Sequence, residues 1–354
     1  MNRAKGRLAV FLSLLALAGC EKSEKKAETH EGGDAGEKHV SGADKDILEA
    51  VAAAASPGAP GTPGAGPPPS GVFPPGAADH EIRPGEPPKL ALGGKGSGPT
   101  IQFAPAIPKK KLEGQVEVSV QTGPRSAMPT IDLLVSFDPP AKPAADAPPG
   151  PLTMTGRVTA SKLAKDQPGD LPPGLDAQIA KARGSRFELA LSPTGGARFT
   201  TVEVAKDFDT ELGQVVKSAT DSLSAVLGPY PSEPVGEGAF WMVTSRETFA
   251  GLDVVVYRMT RLEKIDGTNA IISVSSKRYV AGGRLGFAGL PPHQLAEFSG
   301  TTQGKLAVPV AAPYAASGEF QDVIMAGLDA QQNGQQGRLS VHLEIRSRVA
   351  LVEH

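Results

Sequence analysis

Cys20 is the single cysteine among 354 residues, and its setting suits it to act as a nucleophile. The thiolate is the reactive form of this side chain. Ala18 and Gly19 are small and leave the peptide bond before Cys20 open to a peptidase. Arg3, Lys5 and Arg7 precede an apolar run from Leu8 to Ala16. A charged start, an apolar middle and a small-residue end form a secretory signal. The run is too short to span a bilayer, which takes about 20 apolar residues. A buried core position is equally unsuited, because Glu21-Lys22-Ser23-Glu24-Lys25-Lys26 follows at once. Other chemistry is sparse. Beyond residue 112 lie His293, His342 and His354, and no nearby cysteine or matched carboxylate supports His293 or His342 as a general base. A lone general base needs such a partner, so simple exposure is expected for each. No metal-protease, serine-hydrolase, phosphate-loop or dinucleotide motif is present. Carboxylates are scattered, and their spacing identifies no acid–base pair. His30 and His39 lie among acidic residues near the N-terminus, which suits weak, adventitious metal contact only. No enzyme activity, cofactor or metal site is expected.

The order Leu17-Ala18-Gly19-Cys20 resembles the lipobox of bacterial lipoproteins. The resemblance implies cleavage between Gly19 and Cys20, with Cys20 acylated as the first mature residue. Each buried methylene contributes ~0.8 kcal/mol, and one acyl chain anchors only marginally. Two or three chains on Cys20 hold a protein firmly on a membrane. Glu21, rather than aspartate, follows the cysteine. By resemblance to sorting rules in bacteria with two membranes, that points to the outer membrane, on its periplasmic or outer face. A lone cysteine also excludes an intramolecular disulfide, thiol catalysis elsewhere and cysteine-based metal sites.

Composition divides the rest. Many of the 33 prolines and 42 glycines crowd the first third of the chain. Asp44 to Ala55 suits a short helix with Asp44 as its cap, marginal on its own. Ser56 to Gly76 is too rich in proline and glycine to pack a core. The expected organisation is a signal peptide over 1–19, a lipidated tether over 20–111 and a folded domain over 112–354. As a flexible coil, Glu21 to Lys111 reaches roughly 50 Å. The net charge of −2 shows no basic stripe for nucleic acid. Lys109-Lys110-Lys111 reads as a short solvated run.

From Leu112 onward, period-two alternation dominates. Leu152, Met154, Gly156, Val158 and Ala160 alternate with Thr153, Thr155, Arg157, Thr159 and Ser161. Leu339, Val341, Leu343 and Ile345 do the same near the C-terminus. Phe187 to Leu191 and Phe199 to Val204 flank Pro193-Thr194-Gly195-Gly196, a hairpin signature. Further strands are expected at 116–121, 131–137, 240–249, 254–263, 269–281, 294–306, 318–328 and 338–352, about eleven in all. Gly251 and Asp266-Gly267 mark turns, and 331–337 reads as a polar turn between the last two strands. Phe208, Leu212, Val215, Val216, Ala219, Leu223, Val226 and Leu227 define an amphipathic helix starting near Asp207 or Asp209. A weaker helix spans Gly174 to Ala182. Arg338 to Val352 alone would extend ~50 Å at ~3.3 Å per residue. Two helices cannot cover a flat sheet of that size. The expected fold is therefore mainly β, a curved antiparallel sheet or half-barrel with the helices as lid or plug. A membrane barrel needs aromatic girdles, and aromatic residues make up 5% of this chain, with one tryptophan.

The stretch Tyr230-Pro231-Ser232-Glu233-Pro234-Val235-Gly236-Glu237-Gly238-Ala239-Phe240-Trp241 resembles the Pro-x-x-Pro-Val-Gly-x-Gly-x-x-Trp element of a family of uncharacterised bacterial lipoproteins. The resemblance covers about Gly184 to the C-terminus and brings no activity with it. The layout is also similar in outline to half-barrel lipoprotein carriers, which hold acyl chains in a concave sheet. Read physically, the prolines make an extended lead-in, Gly236 and Gly238 permit a sharp bend, and Trp241 enters the sheet as a buried corner residue.

Two functions follow as expectations. In the first, an envelope lipoprotein binds a lipid or other hydrophobic small molecule in the curved sheet. Runs apolar on both faces, Val254-Val255-Val256 and Ile271-Ile272, motivate it. In the second, the domain is a structural or interaction module that docks onto envelope proteins without a ligand. Open sheet edges suit strand addition.

Overall fold

The computed structural model describes residues 67–354 except 105–106, 123–125, 141–151, 166–170, 172, 192–195, 209–211, 250–251, 284–294 and 333–334. Cys20, the signal segment, His30, His39, Gly251 and His293 lie outside the described residues, as does 44–55.

In chain order the elements are β1 (Lys89–Gly94), β2 (Ser97–Ile101), β3 (Leu112–Thr122), β4 (Ser126–Ala127), β5 (Ile131–Phe137) and β6 (Leu152–Leu163). Helix α1 (Leu175–Ile179), β7 (Arg186–Leu191), β8 (Ala197–Glu203) and helix α2 (Gly213–Val226) follow. The chain then runs through β9 (Val235–Glu237), β10 (Phe240–Phe249), β11 (Leu252–Asp266), β12 (Asn269–Gly283), β13 (Leu295–Pro309), β14 (Ser317–Gln332) and β15 (Gln335–Glu353). Twelve strands make one sheet in the order β1-β10-β11-β12-β13-β14-β15-β3-β5-β6-β7-β8, with β4 on β3 and a separate β2–β9 pair. The large sheet is antiparallel and does not close into a barrel. The eleven strands expected from alternation correspond to β3, β5 to β8 and β10 to β15. Among the described residues no helix is long and apolar enough to cross a membrane.

The alternation decides which face is covered. Ile272, Val274, Ser276, Arg278 and Val280 of β12 are buried, with part-exposed residues between them. The inner faces of the strands meet α2, which touches β3, β8, β10, β14 and β15. Elements from both arms of the sheet thus reach one helix, and the sheet curls around it. Val216, Ala219, Leu223 and Val226 of α2 are fully buried. Each such aliphatic side chain contributes ~1.5–3 kcal/mol on burial. The helix is a plug in the hollow, as the shortage of cover for a large sheet requires. It begins at Gly213, later than Asp207 or Asp209, with no side-chain cap.

The expected domain boundary at 112 needs correction, because residues 67–104 belong to the folded body. Phe73 N donates to Val280 O at 2.7 Å, Val280 N to Gly71 O at 2.8 Å and Phe298 N to Ser70 O at 2.9 Å. β12 and β13 pair only as far as Arg278 and Gly300, and Ser70 to Phe73 fill the split beyond. From there Phe73, Ala78 and Ile82 pack over Met242, Val255 and Tyr257 on the outer face. Arg246 secures this strap, donating from Nη1 to Ile82 O at 3.2 Å and lying 3.4 Å from Asp79. The double-sided apolarity of Val254-Val255-Val256 therefore has a cause inside the fold. Val255 is covered by the strap and its two neighbours by the core. Farther along, the backbone N–H groups of Lys109 and Lys110 donate to Glu353, so the lysine run abuts the end of β15.

Candidate functional site

The curled sheet leaves a seam. β8 ends the sheet on one side. On the other, β1 has only six residues and pairs with Phe240 to Thr244. No described strand pairs with Ser245 to Phe249 on that side. Between these two edges, with α2 as its floor, lies a cavity of about 200 Å³. Arg198, Phe199 and Val202 of β8, Lys217, Asp221 and Ser224 of α2, and Glu247 and Thr248 of β10 line it. A second cavity, of about 10 Å³ beside Tyr230 and Thr260, has room for about one water.

Behind the seam the sheet interior carries a polar band. Arg278 Nη2 donates to Asp322 Oδ1 at 2.8 Å, and Thr302 Oγ1 donates to the same oxygen at 2.6 Å. Arg258 Nη2 donates to Glu247 Oε1 at 3.4 Å, and Ser245 Oγ to the same oxygen at 2.5 Å. The Arg278 guanidinium carbon sits 4.6 Å from the centre of the Phe249 ring. Ser222 of α2 and Ser347 of β15 share a hydrogen bond of 2.5 Å, with either hydroxyl as donor. Apart from the half-buried Glu247 these groups are buried, and a buried charge needs such partners.

Asp221 connects the band to the seam. Asp221 is half-buried and lines the cavity. Burial holds the Asp221 carboxyl well above the usual carboxylate range. Arg278 and Arg258 oppose that shift, while Asp322 and Glu247 reinforce it. Burial of this kind disfavours the charged form of a carboxyl.

The sequence-based candidates fall elsewhere. His342 is exposed on β15, opposite Met325. His354 is exposed, with Nε2 3.7 Å from Glu113. Trp241 is fully buried, with Phe103 and Tyr230 rings at 6.3 and 6.4 Å. Gly238 has φ 82°, and a Cβ on Gly236 would meet Ser97 O at 2.4 Å. The glycines of the Trp element thus allow β9 to approach β2. Sequence reading missed Arg258, Arg278, Asp322 and Asp221 as a group. Their signal was available as charged residues interrupting apolar positions, Arg258 between Val256 and Leu262 and Asp322 between Phe320 and Ile324.

No family model matches the chain, and no curated relative matches it. Among solved structures, one described as lipid–protein interactions in lipovitellin is similar at a TM-score of 0.38 and 10% identity. The match covers 71% of this chain and 25% of the lipovitellin chain, so this protein spans about a quarter of that chain's length. The crystal structure of Pseudomonas aeruginosa OccK10 (OpdN) matches at a TM-score of 0.15 and 8% identity, covering 69% of this chain and 98% of that one. No functional reading follows from either likeness.

Proposed function

We propose that this protein is a lipid-anchored component of the bacterial cell envelope that binds a small hydrophobic or amphipathic molecule at the seam of its half-barrel. Cys20, exposed by cleavage after Gly19, is the proposed anchor, and Glu21 directs the protein to the outer membrane. The observation that carries the binding reading is the cavity of about 200 Å³ where β8 and β10 fail to meet. Ligand sites sit in concave places with an apolar lining and a few convergent polar groups. The seam has Phe199 and Val202 on one wall and the polar groups of α2 on its floor.

The hollow of the sheet is not itself an empty cleft, because α2 fills it. A cavity of this size is below the ~300–1,000 Å³ typical of drug-sized ligands. A short amphiphile fits it as it stands, whereas a long acyl chain requires α2 to move outward.

The alternative is a structural or interaction lipoprotein without a ligand. The unpaired edges of β8 and of Ser245 to Phe249 favour it, since exposed edges accept an added strand. Native mass spectrometry on the chain from Glu21 to His354, followed by organic extraction, separates the two. A stoichiometric bound amphiphile supports the carrier. A clean apo mass with no uptake of a fluorescent fatty acid shifts the reading to the interaction module. The anchor has its own test. Cys20→Ser should release the protein from the membrane fraction, and retention with unchanged acyl labelling would remove the lipoprotein assignment.

A further inference from the structure

We propose that the seam cavity is an anion site, built to hold the carboxylate or phosphate head of a short amphiphile. This rests on the seam being a ligand site and goes on to assign the chemistry of its ligand.

The argument is a charge count around the cavity. Arg198 and Lys217 both line it. Neither makes an ion pair among the described residues, although fourteen such pairs occur elsewhere. The anions nearby are already engaged. Glu247 is held by Arg258 and Ser245, and Asp322 by Arg278 and Thr302. Glu188, one strand behind β8, accepts from Thr201 Oγ1 at 3.0 Å. Of the lining hydroxyls, those of Thr200, Thr201 and Thr220 already donate to Glu188 and to Lys217 O. Ser224 is buried and makes no side-chain hydrogen bond among the described residues, leaving its hydroxyl for an occupant. Burial raises the Asp221 carboxyl well above the usual carboxylate range, which weakens it as a competing anion.

A second observation points the same way. Arg278 Nη1 is buried without a hydrogen-bond partner among the described residues, and its side chain is 6% exposed. Together with Asp221 it forms one electrostatic group. Arg278 does not line the cavity, so it contributes positive charge from the polar band and no direct contact. Two cations without ion pairs among the described residues and a free hydroxyl around one opening select an anion over a cation or a neutral head. Phe199 and Val202 then face the apolar part of the occupant.

Calorimetric titration of the chain from Glu21 to His354 with four probes tests this. The probes are octanoate, octyl phosphate, 1-octanol and inorganic phosphate. Octanoate or octyl phosphate should bind about tenfold or more tightly than octanol, as expected for charge-assisted hydrogen bonds. Arg198→Met with Lys217→Met should remove that preference, bringing the affinity for octanoate down to that for octanol. Both positions are only partly buried or exposed, and circular dichroism confirms folding of the variant. Equal binding of octanoate and octanol overturns the anion site while leaving the seam as a hydrophobic site. Binding of inorganic phosphate as tightly as octyl phosphate overturns the amphiphile head and identifies a free anion as the occupant. No binding of any probe overturns both this proposal and the ligand reading beneath it. The comparison of octanoate with octanol needs no variant, so it stands even if the double substitution misfolds.

Discussion

Arg278 on β12 and Asp322 on β14 are joined by a 2.8 Å hydrogen bond that passes over β13. Their side chains are 6% and 4% exposed. Gly300, paired with Arg278 on β13, makes this crossing possible, because a Cβ there would lie 3.2 Å from Arg278 Cβ and 2.9 Å from the Phe298 ring. The pair fixes the register of three strands around a charge that cannot face water. It also shows that the middle of the hollow is polar, with apolar layers on either side.

Breaking this pair should be expensive. Asp322→Asn leaves a buried guanidinium without its counter-charge, and the expected loss is ~3–5 kcal/mol. The double variant Arg278→Met with Asp322→Leu should lose less than the single one, since apolar replacement of both partners removes the uncompensated charge. Urea unfolding of the three proteins measures the difference. A single variant as stable as the parent would mean that water reaches the pair.

Asp221 predicts a pH dependence. Its carboxyl is held high in the folded state by burial first, with Asp322 and Glu247 adding to the effect and Arg278 and Arg258 opposing it. Lys217 and Arg198 face the same cavity. The folded protein therefore keeps this proton at pH values where the unfolded chain has released it. Its contribution to stability is fully present below the ordinary aspartate range near ~3.9 and declines as pH rises toward the folded value. Asp221→Asn should flatten that decline. Urea midpoints at about pH 5 and pH 8 should converge in the variant, and an unchanged slope would assign the dependence to another group.

Gly71 holds the strap in place. Its φ is +73°, and a Cβ would meet Phe298 O at 1.7 Å. Gly71→Ala should cost at least ~1–3 kcal/mol through backbone strain alone. The strap from residue 70 to 82 should then become cleavable in limited proteolysis while the remainder of the sheet resists. Protection equal to that of the parent would show that the wedge between β12 and β13 adapts.

Trp241 offers a spectroscopic check, as the protein contains one tryptophan. It is fully buried beside Phe103 and Tyr230, and its indole nitrogen has no hydrogen-bond partner among the described residues. Emission should be strongly blue-shifted and resistant to acrylamide. Trp241→Ala should destabilise the fold by ~3–5 kcal/mol. Red, quenchable emission would place the Trp corner at the surface instead.

The alternation of small sections of sequence was enough to reveal eleven strands and the two helices. Side chains two apart along a strand share a face, and that period survives any tertiary arrangement. β1 was hidden because Lys89-Leu90-Ala91-Leu92-Gly93-Gly94 sits among prolines and glycines. A Cβ on Gly93 would meet the Phe240 ring at 2.1 Å, so its glycine serves close packing rather than flexibility. β9, three residues long, is too short for any period to show.

Local sequence by itself determined the alternating faces, the amphipathic helix, the bend before Trp241 and the lipobox-like order around Cys20, because each depends on neighbours a few residues apart. Tertiary structure alone decided where the sheet stops, that α2 fills its hollow, and that the strap rather than a ligand covers Val255. It also decided that Arg198, Lys217 and Glu247 meet around Asp221. Arg198, Glu247 and the α2 pair Lys217 and Asp221 come from three separate elements, and no local period encodes the distance between those elements. Only the curl of the sheet around α2 brings its two unpaired edges to one opening.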